Sequence, residues 1–539
     1  MVELGNLETF MVLSRRSLLA SWAALALAPR LAHAQAPRRG GVLRVAADSE
    51  YRNWNPAIAA NNGVFLVARK VIEPLFDLGA DGKTLVPVLA TGWTPSQDGK
   101  THSFTLRGGV KWHDGRDFGS GDVAFSALEL WRKLQNFGRD VFRNLEAVDT
   151  PDATTAVFRF AQPIPAQLLA AALAPLANVV PRHVYEGTDL QNNPANISLV
   201  GTGPFRFGEY RRGEFFRLAR NPAYWGEGQP LLDGIVYRVM PDKGAVAAAL
   251  EAGELELATF GGVSIEDMQR LGKLPSLEVV AHGYEALPYL SILEFNFARP
   301  ELQNPKVRQA IAHALNPQAA VDTIFLGLAK PAVGPIPTTD PVFHTSQLPG
   351  YPFDPRRAEA LLDEAGYRKG ADGMRFALKI VPAPFFEQTR RIGDMMRQSL
   401  RQVGIDASIQ NTDLAGYFAA VYRERNFDLT SGVYAYRQDP AISTTVLYGS
   451  GTPAGVPFSN QRGYASPEMD GLLRQAAAQL DADKRIALYR RFQELAMTDL
   501  PLIPFVEFPL VSVASRRLRG HHDNPRWAVT SWGSTWLAA

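Results

Sequence analysis

The stretch at residues 376–410, FALKIVPAPFFEQTRRIGDMMRQSLRQVGIDASIQ, predicts a strand, a helix and a second strand. Phe376, Leu378 and Ile380 alternate with other side chains, as in a strand, and the same alternation returns at 405–409. Between them, apolar residues recur at helical spacing until Gly404, where a left-handed backbone costs little. A crossover of this length favours parallel neighbouring strands. The stretch therefore indicates an α/β fold.

The rest of the chain follows the same alternation of short strands and helices with defined starts. Asn304-Pro305, Asp354-Pro355 and Ser466-Pro467 each place a capping side chain before a proline that suits the first helical turn. Residues 84–117 differ, because closely spaced short strands and turns predict an antiparallel β-rich piece. No repeats or long linkers occur, so we expect domains joined by short segments.

The amino-terminal residues have the features of a bacterial export signal. Ser14-Arg15-Arg16-Ser17 precedes an uncharged apolar run at 18–28, and Ala32-His33-Ala34 follows as a small-x-small site. The paired arginines resemble a twin-arginine signal, and we expect cleavage after Ala34, with Met11 as an alternative start. A membrane anchor is the alternative interpretation, but the run is shorter than the roughly 20 residues that span a bilayer.

Composition excludes several classes of function. The 539 residues suffice for two to four domains, and the 56 basic and 54 acidic side chains nearly cancel, which gives no reason to expect a nucleic-acid partner. The chain has no cysteine, which excludes disulfides, thiol nucleophiles, thiolate metal sites and a lipid-accepting cysteine. With the export signal, this predicts a protein free in the periplasm.

The sequence lacks the common catalytic motifs. It contains no Gly-x-Ser-x-Gly elbow, zinc-binding His-Glu-x-x-His, Walker loop or dinucleotide fingerprint. Trp112-His113-Asp114-Gly115 is interpreted as a hairpin end rather than a His–Asp dyad, and His521-His522 as surface rather than a metal site. We therefore expect a binding protein, not an enzyme, with no cofactor and no metal.

A series of motifs gives the chain a resemblance to one family. In order they are LRGGVKWHDG (106–115), GDVAFS (121–126), GTGPF (201–205), NPAYWG (221–226), NPKVRQA (304–310), DPRRA (354–358), AGY (365–367) and PLIP (501–504). Together they resemble the family 5 extracellular solute-binding proteins, the dipeptide, oligopeptide and nickel receptors of ABC importers. The resemblance extends over about residues 40–508, nearly the whole mature chain.

The resemblance implies an α/β, two-lobed periplasmic-binding-protein-like fold of the class II type, with an extra β-rich subdomain in the first lobe. On this pattern the signal peptide is 1–34. Lobe I comprises 36–60, 196–280 and 505–535, the β-rich subdomain 61–195, and lobe II 281–504.

The same resemblance implies a periplasmic receptor that closes around a peptide or amino-acid-derived solute and delivers it to a membrane permease. Closure would follow from a hinge equilibrium shifted by the solute. We expect a monomer with no nucleic-acid partner. The alternatives are a different solute, namely a glycan fragment, an opine-like compound or a metal chelate, or an exported hydrolase that uses the same cleft.

The two charged residues that hold the ends of the ligand in the dipeptide receptors have no counterpart in this sequence. In peptide-binding relatives, an aspartate shortly before an Asp-Pro pair holds the α-ammonium group of the ligand. The matching segment, GVYAYRQDP at 432–440, has Tyr436 at that position and Asp439 as the structural aspartate of the pair. The carboxylate-binding arginine aligns with Ala383. The resemblance thus does not imply a generic dipeptide.

The candidate ligand-binding residues lie on three loops. Arg437 is the candidate for a bidentate contact with a carboxylate or phosphate, and its alternative is a surface position. The aromatic candidates could stack on the solute or belong to the core, and residues near the presumed crossing between the lobes are further candidates. The aromatic and first-lobe candidates are Tyr434, Tyr436, Phe385, Phe386, Trp54 and Asn53, and those near the crossing are Tyr284 and Tyr289.

Overall fold

The computed structural model describes residues 36–48, 53–59, 62–135 and 137–539. The expected signal peptide at 1–34 lies outside the described residues. Within the described ranges, no helix is long and apolar enough to cross a membrane. The structure is α/β, as predicted, and is built on two large sheets.

The first large sheet has seven strands and forms the base of lobe I. Its first strand, Val42–Ala47, lies parallel to both of its neighbours, Gly234–Val239 and Leu257–Ala258, and antiparallel strands flank this group of three. The strands in chain order are Val42–Ala47, Phe205–Arg211, Phe215–Arg220, Gly234–Val239, Leu257–Ala258, Leu277–Val280 and Ser512–Ser515. A small additional sheet near the carboxyl terminus pairs Leu518–Arg519 with Trp536–Leu537.

The second large sheet has six strands and forms the base of lobe II. Phe376–Ile380 and Ile405–Ile409 pair in parallel and are joined by the helix Glu387–Gln402, which confirms the predicted strand–helix–strand unit. The strands in chain order are Tyr289–Phe295, Lys330–Pro331, Phe376–Ile380, Ile405–Ile409, Leu429–Ala435 and Leu502–Phe508.

A separate antiparallel region confirms the predicted β-rich piece. Four strands pair only antiparallel, and a shorter hairpin of Phe76–Leu78 with Leu85–Pro87 lies beside them. The four strands are Ala90–Pro95, Thr101–Leu106, Leu145–Asp152 and Thr155–Phe160. The expected hairpin end is also present, because Trp112 N donates to Arg116 O.

Helices cover the faces of the sheets. The side chains of Asn304, Asp354 and Ser466 accept hydrogen bonds from the first turns of their helices, as predicted. In lobe I and the β-rich region the helices are Asn62–Ala68, Ser120–Phe125, Gly138–Val141, Ala166–Leu173, Arg182–Tyr185, Lys243–Glu251 and Ile265–Leu271. In lobe II they are Pro300–Gln303, Pro305–Ala314, Pro317–Thr323, Pro355–Glu364, Glu387–Gln402, Leu414–Tyr417, Pro440–Ser443, Pro467–Ala478 and Ala482–Asp499.

Two short chain segments connect the large sheets. Leu277–Val280 pairs with Ser512–Ser515 in the first sheet, and Tyr289–Phe295 pairs with Leu502–Phe508 in the second. The crossings at 281–288 and 509–511 therefore run side by side. The return crossing follows the end of a continuous strand at Phe508, a few residues beyond the position expected from the sequence.

The two lobes are in contact in this structure. Gln438 Nε2 donates to Gly82 O at 3.1 Å, and Asn62 Nδ2 donates to the hydroxyl of Tyr289 at 2.5 Å. Arg391 of lobe II lies 3.2 Å from the carboxylate of Glu266 in lobe I. These three contacts join lobe II to lobe I and to the β-rich region.

Buried polar contacts bring the recognised motifs of lobe I together. The buried carboxylate of Glu73 accepts hydrogen bonds from Thr202, Tyr224 and Trp225 at 2.7–2.9 Å, which joins GTGPF to NPAYWG. His113 Nδ1 accepts from Gly201 N, and Nε2 contacts Gly203 O at 3.0 Å. These contacts require a neutral imidazole that donates from Nε2.

We predict that stability falls in mildly acidic solution because of His113. Burial lowers the pKa of His113 from 6.5 to about 4. The neutral imidazole therefore makes its full contribution to the free energy of unfolding above pH 6.5, and this contribution is lost as the pH falls toward 4. At pH 5 the loss amounts to about 2 kcal/mol. Urea unfolding of wild type and His113→Gln at pH 7.5 and 5.0 measures the difference. His282→Gln, which removes an exposed histidine, is the control and retains the wild-type pH dependence. An identical pH dependence in His113→Gln would contradict the prediction.

A fully buried ion pair of lobe II joins Asp439 to Arg485. Both carboxylate oxygens accept guanidinium hydrogen bonds, at 2.7 and 2.8 Å, and both side chains are 1% exposed. One oxygen also accepts from Ala441 N and so caps the helix Pro440–Ser443. Removing the carboxylate would leave a buried guanidinium without its counter-charge.

We predict that Asp439→Asn lowers the free energy of unfolding by about 3–5 kcal/mol, the usual cost of an unpaired buried charge. Urea denaturation at pH 7.5 measures the change. Glu468→Gln is the matched control because it breaks an exposed pair with Arg491, and it leaves the unfolding midpoint near that of wild type. Equal effects of the two substitutions would show that the buried pair does not stabilise the fold.

Candidate functional site

The loop after strand Leu429–Ala435 enters the junction between the lobes. Tyr436 N donates to Pro288 O, which holds the loop against the first crossing segment. Asp439 N donates to Arg437 O at 2.7 Å and closes a three-residue turn around Gln438, whose φ is +62°. A non-glycine residue rarely adopts this conformation, and such strain is concentrated at functional sites. The turn directs Arg437 away from the core that surrounds Asp439.

Arg437 is a buried cation with no anionic partner among the described residues. Its side chain is 6% exposed, and its guanidinium carbon lies 3.9 Å from the ring centroid of Phe137 in the β-rich region. Among the residues that the structure describes, none forms a hydrogen bond or ion pair with this guanidinium, and its Nε has no acceptor. Burial lowers the pKa of Arg437 to about 10, so the group is charged at neutral pH.

This stacking leaves the hydrogen-bonding edge of Arg437 available. The Phe137 ring covers a face of the planar guanidinium, whereas its N–H groups point outward in the plane. A buried cation is costly unless an anion pairs with it. A carboxylate or phosphate that meets the edge in bidentate fashion satisfies both the charge and the N–H groups.

A second buried arginine comes from lobe I. Arg526 is 3% exposed, its Nη1 lies 3.3 Å from Asp77 Oδ1, and its Nε has no acceptor among the described residues. Asp77 is shared with Arg69, whose Nη2 lies 3.1 Å from Oδ2. Burial lowers the pKa of Arg526 to about 10; Asp77 raises it, and the charges of Arg69 and Arg437 lower it further. The junction therefore carries an excess of positive charge.

Aromatic side chains form a wall beside this charge. Tyr289 packs edge-on against Phe386 at 5.8 Å between centroids, and both contact Phe508 at the end of the return strand. Burial raises the pKa of Tyr289, whereas the hydrogen bond from Asn62 and the charge of Arg437 lower it. Phe386 and Tyr289 thus lie at the junction between the lobes.

The other aromatic candidates of lobe II lie in its interior. Phe385 turns away from Phe386 and packs against Tyr417 and Phe418. Tyr434 is buried and donates its hydroxyl to Pro335 O, and Tyr436 is buried and donates to the Asp340 carboxylate. These hydroxyls are already satisfied by the protein.

The candidates of lobe I also make internal contacts. Trp54 is 1% exposed and packs 4.7 Å from the ring of Phe216, which places it in the core behind the seven-stranded sheet. The half-buried Asn53 accepts a hydrogen bond from Asn55 N through its side-chain oxygen. Tyr284, a further candidate, is buried with its hydroxyl 2.5 Å from Ser512 Oγ, which joins the first crossing to the strand Ser512–Ser515.

Three residues of the junction had no signal in the sequence. Phe137, Asn62 and Arg526 lie outside the recognised motifs, and only the fold brings them near Arg437 or Tyr289. The described residues also contain no group of three or more histidine, aspartate or glutamate side chains that could hold a metal ion. His521 and His522 contact each other and Trp527.

Comparison with known families identifies the chain over most of its length. The sequence model of the bacterial extracellular solute-binding proteins, family 5 Middle, matches residues 84–455. Glutathione-binding protein GsiB from Salmonella typhimurium strain LT2 is 30% identical over 507 residues, which cover 92% of this chain and 95% of that protein. GsiB from Escherichia coli O157:H7 is 29% identical over 485 residues, which cover 88% of this chain and 91% of that protein.

Solved structures share the fold. DppA from Helicobacter pylori, in complex with the peptide STSA, has a TM-score of 0.79 at 24% identity and covers 93% of this chain and 99% of its own. NikZ from Campylobacter jejuni, in complex with Ni(L-His), has a TM-score of 0.78 at 21% identity. The match covers 90% of this chain and 97% of NikZ. The two lobes, their paired crossings and the match of the family model lead to one conclusion: the chain belongs to family 5 of the bacterial extracellular solute-binding proteins.

Proposed function

We propose that this solute-binding protein of an ABC importer captures a peptide or amino-acid-derived solute between its lobes and holds a carboxylate of that solute on Arg437. The observation that carries the proposal is the buried, unpartnered guanidinium of Arg437 at the junction. Because its pKa stays near 10, the group is a permanent cation at physiological pH. An amino-acid-derived solute supplies the matching anion.

The character of the junction favours such a solute over a neutral one. A neutral glycan fragment would leave the charge of Arg437 unpaired, whereas a carboxylate satisfies its edge and Phe386 and Tyr289 offer aromatic surface to the rest of the molecule. The relatives named for glutathione support the same class, because glutathione is a peptide with two carboxylates.

Binding and release would proceed by hinge motion and leave the solute unaltered. The crossings at 281–288 and 509–511 are short and adjacent, so the lobes can rotate about them. Shifting such an equilibrium from 1:99 to 99:1 requires about 5.5 kcal/mol of preference for the closed form. One charge-assisted pair of about 1.5–3 kcal/mol, together with aromatic burial, supplies a large part of it. The closed, loaded form would then deliver the solute to the permease.

We place this activity in the periplasm. The paired Arg15 and Arg16 before an apolar run support export by the twin-arginine route, and the absence of cysteine from the sequence supports a protein without a lipid anchor. The near balance of basic and acidic side chains supports the absence of a nucleic-acid partner. We propose that the protein acts as a monomer.

We predict that the solute retained by the purified protein carries a carboxylate. We also predict that Arg437→Gln weakens the binding of this solute about 10- to 100-fold, because a charge-assisted bidentate contact is lost. Native mass spectrometry of protein isolated from its own periplasm identifies the solute, and calorimetric titration measures the affinity. Glutathione is the first probe.

Arg397→Gln is the matched control, since it removes an exposed arginine of the same lobe and leaves the affinity unchanged. Arg437→Lys keeps the charge but loses the bidentate geometry, and we expect an intermediate affinity. A retained solute without any anionic group, or full affinity in Arg437→Gln, would disprove the role of Arg437.

A further inference from the structure

The two buried arginines at the junction, each with an Nε that has no acceptor among the described residues, belong to different lobes. Arg437 follows the strand Leu429–Ala435 of the six-stranded sheet, and Arg526 lies in the carboxyl-terminal segment that follows Ser512–Ser515 of the seven-stranded sheet. Hinge motion about the crossings therefore changes the distance between them. Neither Nε has a hydrogen-bond acceptor in the described part of the chain.

A single hairpin, Phe76–Leu78 with Leu85–Pro87, brings the two segments together. Gln438, the neighbour of Arg437, donates to Gly82 O at the hairpin turn. Pro525, the neighbour of Arg526, packs on the same turn, where a Cβ on Gly82 would lie 3.2 Å from the proline ring. Both segments therefore converge on Gly82, and the positive charge of Arg437 lowers the pKa of Arg526.

Positive charge exceeds negative charge around Arg437 and Arg526. Asp77 is the only carboxylate among the described residues that acts on either guanidinium, and it already faces both Arg69 and Arg526. None of the described carboxylates pairs with Arg437. Closing the lobes without a solute therefore brings like charges together inside a low-dielectric interior, where their repulsion exceeds that in water. Opening separates the two lobes that carry them.

We propose that Arg437 and Arg526 form an electrostatic gate, which favours the open form until a solute with two anionic groups bridges the guanidiniums of lobes I and II. This inference rests on the proposed function and narrows it to one class of solute. A solute with two anionic groups replaces the repulsion between the two guanidiniums by two attractive contacts. It therefore binds the closed form more tightly than the open form, and this difference in affinity drives closure. A solute with one carboxylate leaves part of the excess positive charge uncompensated, because Asp77 is shared between Arg69 and Arg526, and a cationic solute adds to that excess.

The gate is tested first without any solute. Small-angle scattering compares solute-free wild type with Arg437→Gln and Arg526→Gln, each checked by native mass spectrometry for the absence of bound molecules and by circular dichroism for folding. We expect both variants to have a smaller radius of gyration than wild type, because neutralising one guanidinium removes the repulsion. Arg437→Lys retains the charge and stays as open as wild type, and Arg397→Gln serves as the exposed control.

The second measurement uses glutathione and its diethyl ester, which share a skeleton but differ in the two carboxylates. We expect glutathione to compact the wild type and the diester to have no effect. Each single variant should bind glutathione about 10- to 100-fold more weakly, and the double variant should lose less than the sum of both effects, because one ligand bridges the pair.

The outcomes separate the gate from the proposed function. Unchanged solute-free dimensions in both glutamine variants would overturn the gate, even if Arg437→Gln lost its solute. Compaction of both variants without solute would establish the gate, even if glutathione failed to bind. Equal compaction of wild type by glutathione and by its diester would overturn the requirement for two anionic groups.

Discussion

The buried pair of Asp439 and Arg485 is the constraint on which the candidate site depends. Both oxygens of Asp439 are engaged, by the guanidinium of Arg485 and by the first turn of the helix Pro440–Ser443, so the charge of this carboxylate is already paired. Arg437, two residues earlier, is directed across the tight turn at Gln438 toward the other lobe. The site's unsatisfied cation is thus a consequence of a satisfied pair next to it.

The residues that identify the family mainly build the scaffold. Glu73 joins the GTGPF and NPAYWG motifs inside lobe I, and Arg308 of NPKVRQA donates to the carbonyls of Asp499 and Leu500 at the end of a long helix. Such contacts satisfy buried polar groups and fix element ends. They preserve the fold and leave the junction between the lobes free to vary, which is how one architecture accommodates different solutes.

The sequence predicted the features that neighbouring residues determine. It did not predict the contacts between residues that are distant in the chain. Helix starts at Asn304, Asp354 and Ser466 depend on neighbouring residues, so their patterns were sufficient. Whether Phe385 or Phe386 faces the junction depends on the direction of the loop, and the structure turns these neighbours to opposite sides. Nothing in the sequence near Arg526 indicated its proximity to Arg437, since the two meet only through the hairpin turn at Gly82.

By itself the sequence determined the α/β class, the antiparallel region after residue 84, the strand–helix–strand unit at 376–410 and the family, because periodicity, capping and motif order are properties of neighbouring residues. Only the tertiary structure decided which polar groups remain unpaired. That outcome depends on which carboxylate reaches which guanidinium across the fold. Asp439 pairs with Arg485, and Asp77 pairs with Arg69 and Arg526. Within the described part of the chain, Arg437 contacts an aromatic ring and no anion.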